Sequence, residues 1–307
     1  VRGVCVSYSL IGVMLVAKVA FISLSSCNGC QVTFLNLIPW VREELGAEVI
    51  ACPFISKKWS GDYVDLALIE GSVGNEEHLR LVRRVRDSAK YVVAVGTCAC
   101  YGGIQGLGRV LNAREVSELV PKQVTNKPVI EVVEVDAAVP RCPVPEELLK
   151  EVIKYFIKPG NEGVPTRNHA FLTVCSQCSR VMKPMKELKL RLDYDPGSID
   201  EGTCLLSQGV LCLGPITIGG CGARCTSRGI PCSGCAGPVL DLIIIRGERP
   251  IDRLSRVIAT LSGKDFSTVR RYLENLIDPV LTHTFTASSV LMRSKPNSRL
   301  LNLLGGK

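Results

Sequence analysis

VAKVAFISLSSCNGC, residues 16–30, decides how the rest of the chain is read. Its first part is apolar without alternation, the pattern of a strand buried on both faces of a parallel sheet. It runs straight into a C-x2-C loop, so one strand delivers Cys27 and Cys30 to one edge of that sheet. Residues 33–45, TFLNLIPWVREEL, follow as an amphipathic helix closed by Gly46. Strands are expected at 48–53 and at 64–70, VDLALIE, the latter ending in Glu70-Gly71-Ser72. Asn75 caps a helix over 76–89 that has Glu76 and Glu77 in its first turn. YVVAVG (91–96) and EVVEV (131–135) read as further strands, and Pro145 opens a helix over 146–157.

This alternation predicts an α/β fold, a doubly wound parallel sheet with helices on both faces. The strand at 91–96 leads into GTCACYGG and Cys98, and EVVEV leads into VPRCPVP and Cys142. Open sheets of this class bind ligands at the carboxyl ends of their strands, where these four cysteines are expected to meet.

Fifteen cysteines are present in all. Eight more crowd together as two further sets, Cys175, Cys178, Cys204 and Cys212, then Cys221, Cys225, Cys232 and Cys235. Four thiolates are what one cubane iron–sulfur cluster requires, so three sets of four imply a row of three clusters. Cys5, Cys52 and Cys100 are left over; Cys52 is expected in the core and Cys100 on the far side from Cys98. Structural zinc is the competing use of paired cysteines. Against it stand the Gly-Pro steps after Cys212 and Cys235 and the dense glycines at 219, 220, 222, 229 and 234. A ligand set spread along a sheet edge is also unlike a compact zinc knuckle.

At 307 residues and 46% hydrophobic content the chain needs no disulfides to hold a core. No export signal is evident, so reduced thiols in the cytoplasm are expected. The apolar run at 4–17 is too short to span a bilayer. Residues 1–15 read as an N-terminal extension, with Met14 a candidate start. The formal charge of +8 counts every thiol as neutral; three clusters at about two negative charges each bring it to roughly +2. Basic residues are scattered, which leaves nucleic-acid binding without support. His78 is expected on a solvated helix face, and His169 and His283 are not needed as ligands. No Walker loop, GxGxxG turn or Ser/His/Asp arrangement appears.

The sequence divides into an extension (1–15), the sheet domain (16–160), a cysteine-rich domain (161–240) and C-terminal helices with a tail (241–307). Gly, Pro and Asn gather at 158–169 to mark the main boundary. Helices are expected at 250–261 and 266–277, the second capped by Asp265 or Ser267, both packing on the first domain, with a frayed tail from 294.

SSCNGC (25–30), LIEGS (68–72), GTCACYGG (96–103), Cys142-Pro143, CLLSQGVLCLGP (204–215), CGARC (221–225) and PCSGCAGP (231–238) resemble, in order, the small electron-transferring subunit of [NiFe] hydrogenases. The match is closest to the cytoplasmic archaeal-type branch with the viologen-reducing hydrogenases and sulfhydrogenases. That resemblance implies a flavodoxin-like first domain whose Cys27, Cys30, Cys98 and Cys142 hold a proximal [4Fe–4S] cluster. It implies a medial cluster on Cys221, Cys225, Cys232 and Cys235, and a distal one on Cys175, Cys178, Cys204 and Cys212. Many relatives have histidine where Cys175 stands and proline for one medial cysteine, so three [4Fe–4S] clusters are implied here. Arg141 and Val144 depart from the family's usual glycine-cysteine-proline-proline around Cys142. Glu70 stands where the family has an acid near the proximal cluster, as a proton relay, an alternative ligand or a partner of the strand-end loop. The implied partners are a large subunit with the nickel–iron centre and a flavoprotein, ferredoxin or heterodisulfide-reductase-type acceptor. No nucleic-acid partner and no membrane attachment are expected. The cluster subunit of respiratory quinone oxidoreductases shares the first domain but lacks the last eight cysteines.

Overall fold

The computed structural model describes residues 16–55, 59–109, 126–158, 171–239 and 248–276. Its centre is a parallel sheet of β1 (Lys18–Ser23), β2 (Glu48–Ala51), β3 (Val64–Glu70), β4 (Ala89–Val95) and β5 (Ala137–Val139) in the order β2-β1-β3-β4-β5. That is the order of flavodoxin-like sheets, whose switch point lies between β1 and β3. Alternate residues of β1 serve opposite faces. Val19 and Phe21 pack with helix α1 (Gly29–Glu43) and α4 (Glu146–Ile157), and Ala20 and Ile22 face the other way. On that second face lie α2 (Glu76–Ser88) and the whole cysteine-rich segment, which share one apolar core with the sheet.

Four expectations are corrected. EVVEV is not a strand: residues 129–131 form a 3-10 turn, and pairing with β4 begins only at Ala137. Val133 and Val135 are buried as the alternation required, but the Asp136 carboxylate accepts from Val92 N at 2.7 Å. A side chain thus takes a donor that a strand carbonyl would otherwise use, and Arg86 holds the same carboxylate at 2.7 Å. Helix α1 begins at Gly29, inside the C-x2-C loop, because Asn28 turns the chain at φ 61. Cys98 lies on a short helix, α3 (Gly96–Tyr101), where a loop was expected.

The C-terminal helices α5 (Pro250–Ser262) and α6 (Phe266–Leu276) pack on the cysteine-rich segment, not on the sheet. Met185 N donates to Leu261 O at 2.7 Å and Leu190 N to Tyr272 Oη at 2.8 Å. Arg270 ties α6 to α5 through Asp252 at 2.7 Å. Asp265 is the cap of α6, accepting from Thr268 N at 2.9 Å. The boundary at 159–169, His169, His283, Cys5 and the tail lie outside the described residues.

Candidate metal centres

Cys27 and Cys30 follow β1, Cys98 follows β4 and Cys142 follows β5, all at the carboxyl edge of the sheet. Burial pushes the Cys30 thiol up to about 12; nearby Glu70, Cys98 and Cys142 push the same way, and the Val144 main-chain N–H opposes them. Burial likewise takes Cys98 to about 12, followed by the effects of Cys142, Cys27 and Glu70. The four sulfurs of the first set therefore face one another, as the sequence required.

The other eight meet without any strand or α-helix to carry them. Burial raises Cys175 to about 12, with Cys204 and Cys178 adding to it, and Cys212 to about 12, with Cys175 and Cys204 adding to it. Cys235 is raised by burial first, and Cys221 and Cys225 contribute. Cys232 is raised by burial, with both Cys212 and Cys235 near it.

The three sets touch end to end. The Cys142 main-chain N–H donates to the Cys235 sulfur, joining the first set to the third. Cys232 N donates to Cys212 Sγ at 3.2 Å, joining the third to the second. The order along this row is first, third, second. Thr97 Oγ1, one residue before Cys98, also donates to Cys235 O at 2.5 Å.

All fourteen described cysteines are free thiols. Buried thiols that repel one another when ionised call for a cation among them, and a coordinated thiol is held deprotonated. The space around them is also reserved. At Gly96, with φ +83, a Cβ would stand 2.6 Å from Cys30 Sγ. At Gly214 it would stand 3.2 Å from Cys175 Sγ and 3.6 Å from Cys212 Sγ. The donor chemistry and these cradles fit iron–sulfur groups.

A profile of the NADH ubiquinone oxidoreductase 20 Kd subunit family matches residues 27–156. A vhu subunit of the F420-non-reducing hydrogenase from Methanocaldococcus jannaschii is 31% identical over 245 residues, 73% of this chain and 83% of that protein. Sulfhydrogenase 2 subunit delta of Pyrococcus furiosus is 32% identical over 236 residues, 73% of this chain and 87% of that protein. The chain belongs to the hydrogenase small-subunit family. A solved actinobacterial-type NiFe-hydrogenase chain from Ralstonia eutropha H16 aligns at TM-score 0.48 and 18% identity over 73% of this chain and 79% of that one. The protein is thus a small subunit of [NiFe] hydrogenase type, part of an oxidoreductase acting on hydrogen, which implies a large-subunit partner. Subunits of this kind carry iron–sulfur clusters. The match to the quinone-oxidoreductase family ends before Cys175, so it leaves the last eight cysteines uncovered.

Within this hydrogenase small subunit, the Glu70 side chain is 2% exposed and accepts from Ser23 Oγ at 3.0 Å and Ser26 Oγ at 3.2 Å. The main-chain N–H groups of Gln31 and Cys30 also donate to it, while burial raises its pKa. It therefore braces the Cys27–Cys30 loop from the end of β3. Cys52 and Cys100 are both buried, Cys52 beside Gln31 Nε2 at 3.8 Å and Cys100 donating to Ala94 O at 3.6 Å. His78 is half-buried, not solvated: its Nδ1 accepts from Gly74 N at 3.3 Å, and burial lowers its pKa. The sequence reading missed the roles of two buried arginines. Arg180 donates to Thr226 O at 2.5 Å, Asp200 O at 2.6 Å and Thr203 O at 2.9 Å, stitching the loops of the second and third sets. Arg141 donates to Pro140 O at 3.0 Å and to Gly219 O. An isolated charge in the apolar run AAVPRCPV was the available signal for it.

Proposed function

We propose that this subunit relays single electrons between the nickel–iron site of its large-subunit partner and a flavoprotein or ferredoxin-type acceptor. Cys27, Cys30, Cys98 and Cys142 would hold the proximal [4Fe–4S] cluster. Cys221, Cys225, Cys232 and Cys235 would hold the medial one, and Cys175, Cys178, Cys204 and Cys212 the distal one. The clusters, when bound, supply the one-electron carriers. The chain's own part is to fix their spacing, exclude water and tune each by N–H donors to sulfur, such as Val144, Gly214 and Cys232.

The observation that carries this reading is the end-to-end contact of three four-thiol sets through Cys142–Cys235 and Cys232–Cys212. A relay needs continuity, and a separate structural role for each set does not. Among the described residues no three His, Cys, Asp or Glu side chains are arranged to hold a single metal ion. That spread favours a multi-iron core over zinc, which draws its four ligand atoms to about 2.0–2.3 Å from one metal. No helix among the described residues is long and apolar enough to cross a membrane. A cytoplasmic site of action belongs to the same proposal.

The intact heteromer, purified without oxygen, tests it. About twelve irons per chain are expected, from three four-iron clusters. Cys98→Ala is expected to remove the proximal paramagnetic signal and uncouple dihydrogen oxidation from acceptor reduction. Unchanged coupling in that variant, or stoichiometric zinc in the wild type, would sink the reading.

A further inference from the structure

Two arginines are buried beneath the cysteine loops, Arg141 at 4% and Arg180 at 8% exposure. Neither is ion-paired among the described residues. Arg180 satisfies its charge by donating to three carbonyls. Arg141 does not: its Nε is buried with no hydrogen-bond partner, and its two remaining contacts are the carbonyls of Pro140 and Gly219. A buried guanidinium left so poorly matched needs a counter-charge close by.

The charges that face it are named by the geometry. Cys235, Cys221 and Cys232 are the sulfurs that act on Arg141, and its own charge acts back on Cys235. Its main-chain carbonyl accepts from Thr97 N at 3.0 Å, and Cys142 is the next residue, so its backbone belongs to the first set while its side chain serves the third. Tyr101 and Cys100 are the other titratable groups nearby, and burial keeps both neutral by raising their pKa values.

We propose that Arg141 is a positioning residue that supplies a fixed positive charge to the medial centre and makes that centre easier to reduce. This rests on the cluster reading above. When an electron passes from the proximal to the medial centre, one loses and the other gains a single negative charge. Arg141 neither gains nor loses a proton, since a guanidinium stays charged throughout. Its effect is Coulombic, and burial spares it from screening by salt. Because the side chain faces only one of the three thiol sets, one centre alone should respond.

The test is a potentiometric titration of the anaerobically purified heteromer followed by electron paramagnetic resonance, with iron counted in each sample. The medial signal is identified by its loss in Cys225→Ala. Arg141→Gln removes the charge, Arg141→Gly restores the residue of the family pattern and so safeguards loading, and Arg141→Lys keeps the charge. With iron retained, the Gln and Gly variants are expected to weaken reduction of the medial centre at least tenfold, which is ~59 mV for one electron. The other two centres should stay in place, and Lys should recover most of the shift. Full iron with all midpoints unmoved overturns the proposal, as does a Lys variant shifted as far as Gly. Iron lost from all three variants overturns it in favour of a purely structural role. A wild-type heteromer without cluster signals would instead overturn the relay reading itself.

Discussion

In the sheet region Val19, Phe21, Leu66, Leu68 and Val93 are buried by regular parallel pairing, with helices laid over them. Between 171 and 239 Leu205, Leu206, Ile216 and Ile218 are buried as deeply, with only 3-10 turns and isolated bridges around them. One region is organised by backbone periodicity, the other by side chains that converge on sulfur. The difference shows where each region gets its order. A parallel sheet satisfies its main-chain polar groups internally, whereas irregular loops must borrow partners such as Arg180 and the thiol sets.

The largest effect should come from removing iron. Anaerobic chelation is expected to abolish amide protection across 171–239 while β1, β3 and β4 keep theirs, as followed by hydrogen exchange. Equal loss in both regions would break the contrast, because the sheet would then depend on metal too. Next in size is Arg180→Met, which strands three buried carbonyls. At about 1–3 kcal/mol for each unsatisfied group, the loss should be on the order of 3 kcal/mol and confined to the cysteine-rich segment. Phe34→Ala, deep under the sheet, should cost about 3–5 kcal/mol but act on the sheet. Urea melts read by local probes in each region would separate the two, and a single shared transition for both variants would argue against separate sources of order.

How much could be read in advance follows the same division. β1, β3 and β4 were legible because continuous apolar runs such as KVAFIS and VDLALIE have few alternatives in a chain of this size. The cysteine sets were legible from spacing, although their meeting depended on the sheet order. EVVEV misled because its alternation records burial only; the hydrogen bonds there go to Asp136 and Arg86, which no local pattern announces. The placement of α5 and α6 was misjudged for a related reason. The loops that receive them, around Gly214–Ile216 and Met185, have no periodicity to mark an apolar acceptor surface. Arg141 and Arg180 were invisible as organisers, since a buried arginine and a solvated one look alike in sequence.

Two glycines with the same backbone preference test whether the cysteine loops are packed around their contents. Gly46 has φ +63 and open space around a Cβ, so Gly46→Ala should cost only the left-handed penalty, about 1–2 kcal/mol. Gly96 has φ +83 and would also drive a Cβ to 2.6 Å from Cys30 Sγ. Gly96→Ala should therefore lower iron content as well as stability, whereas Gly46→Ala leaves iron untouched. Matching iron in both variants would mean that the first thiol set tolerates displacement.

The smallest effect belongs to the cap of α6, which lies far from any sulfur. The Asp265 carboxylate accepts from Ser267 Oγ at 2.6 Å and from Thr268 N at 2.9 Å, and these bonds hold its pKa below the ordinary value of 3.8. A depressed acid pKa stabilises the folded form above the unfolded value, and the benefit fades as pH falls through the lower folded value. Exchange at the first-turn amides of α6 should accordingly quicken on acidification below about pH 3.8. Asp265→Ala should show the fast rate at every pH, with the sheet and the thiol sets unaffected. If the variant instead altered iron content, α6 would have to be counted among the elements that hold the cysteine-rich loops in place, through Tyr272 and Leu190.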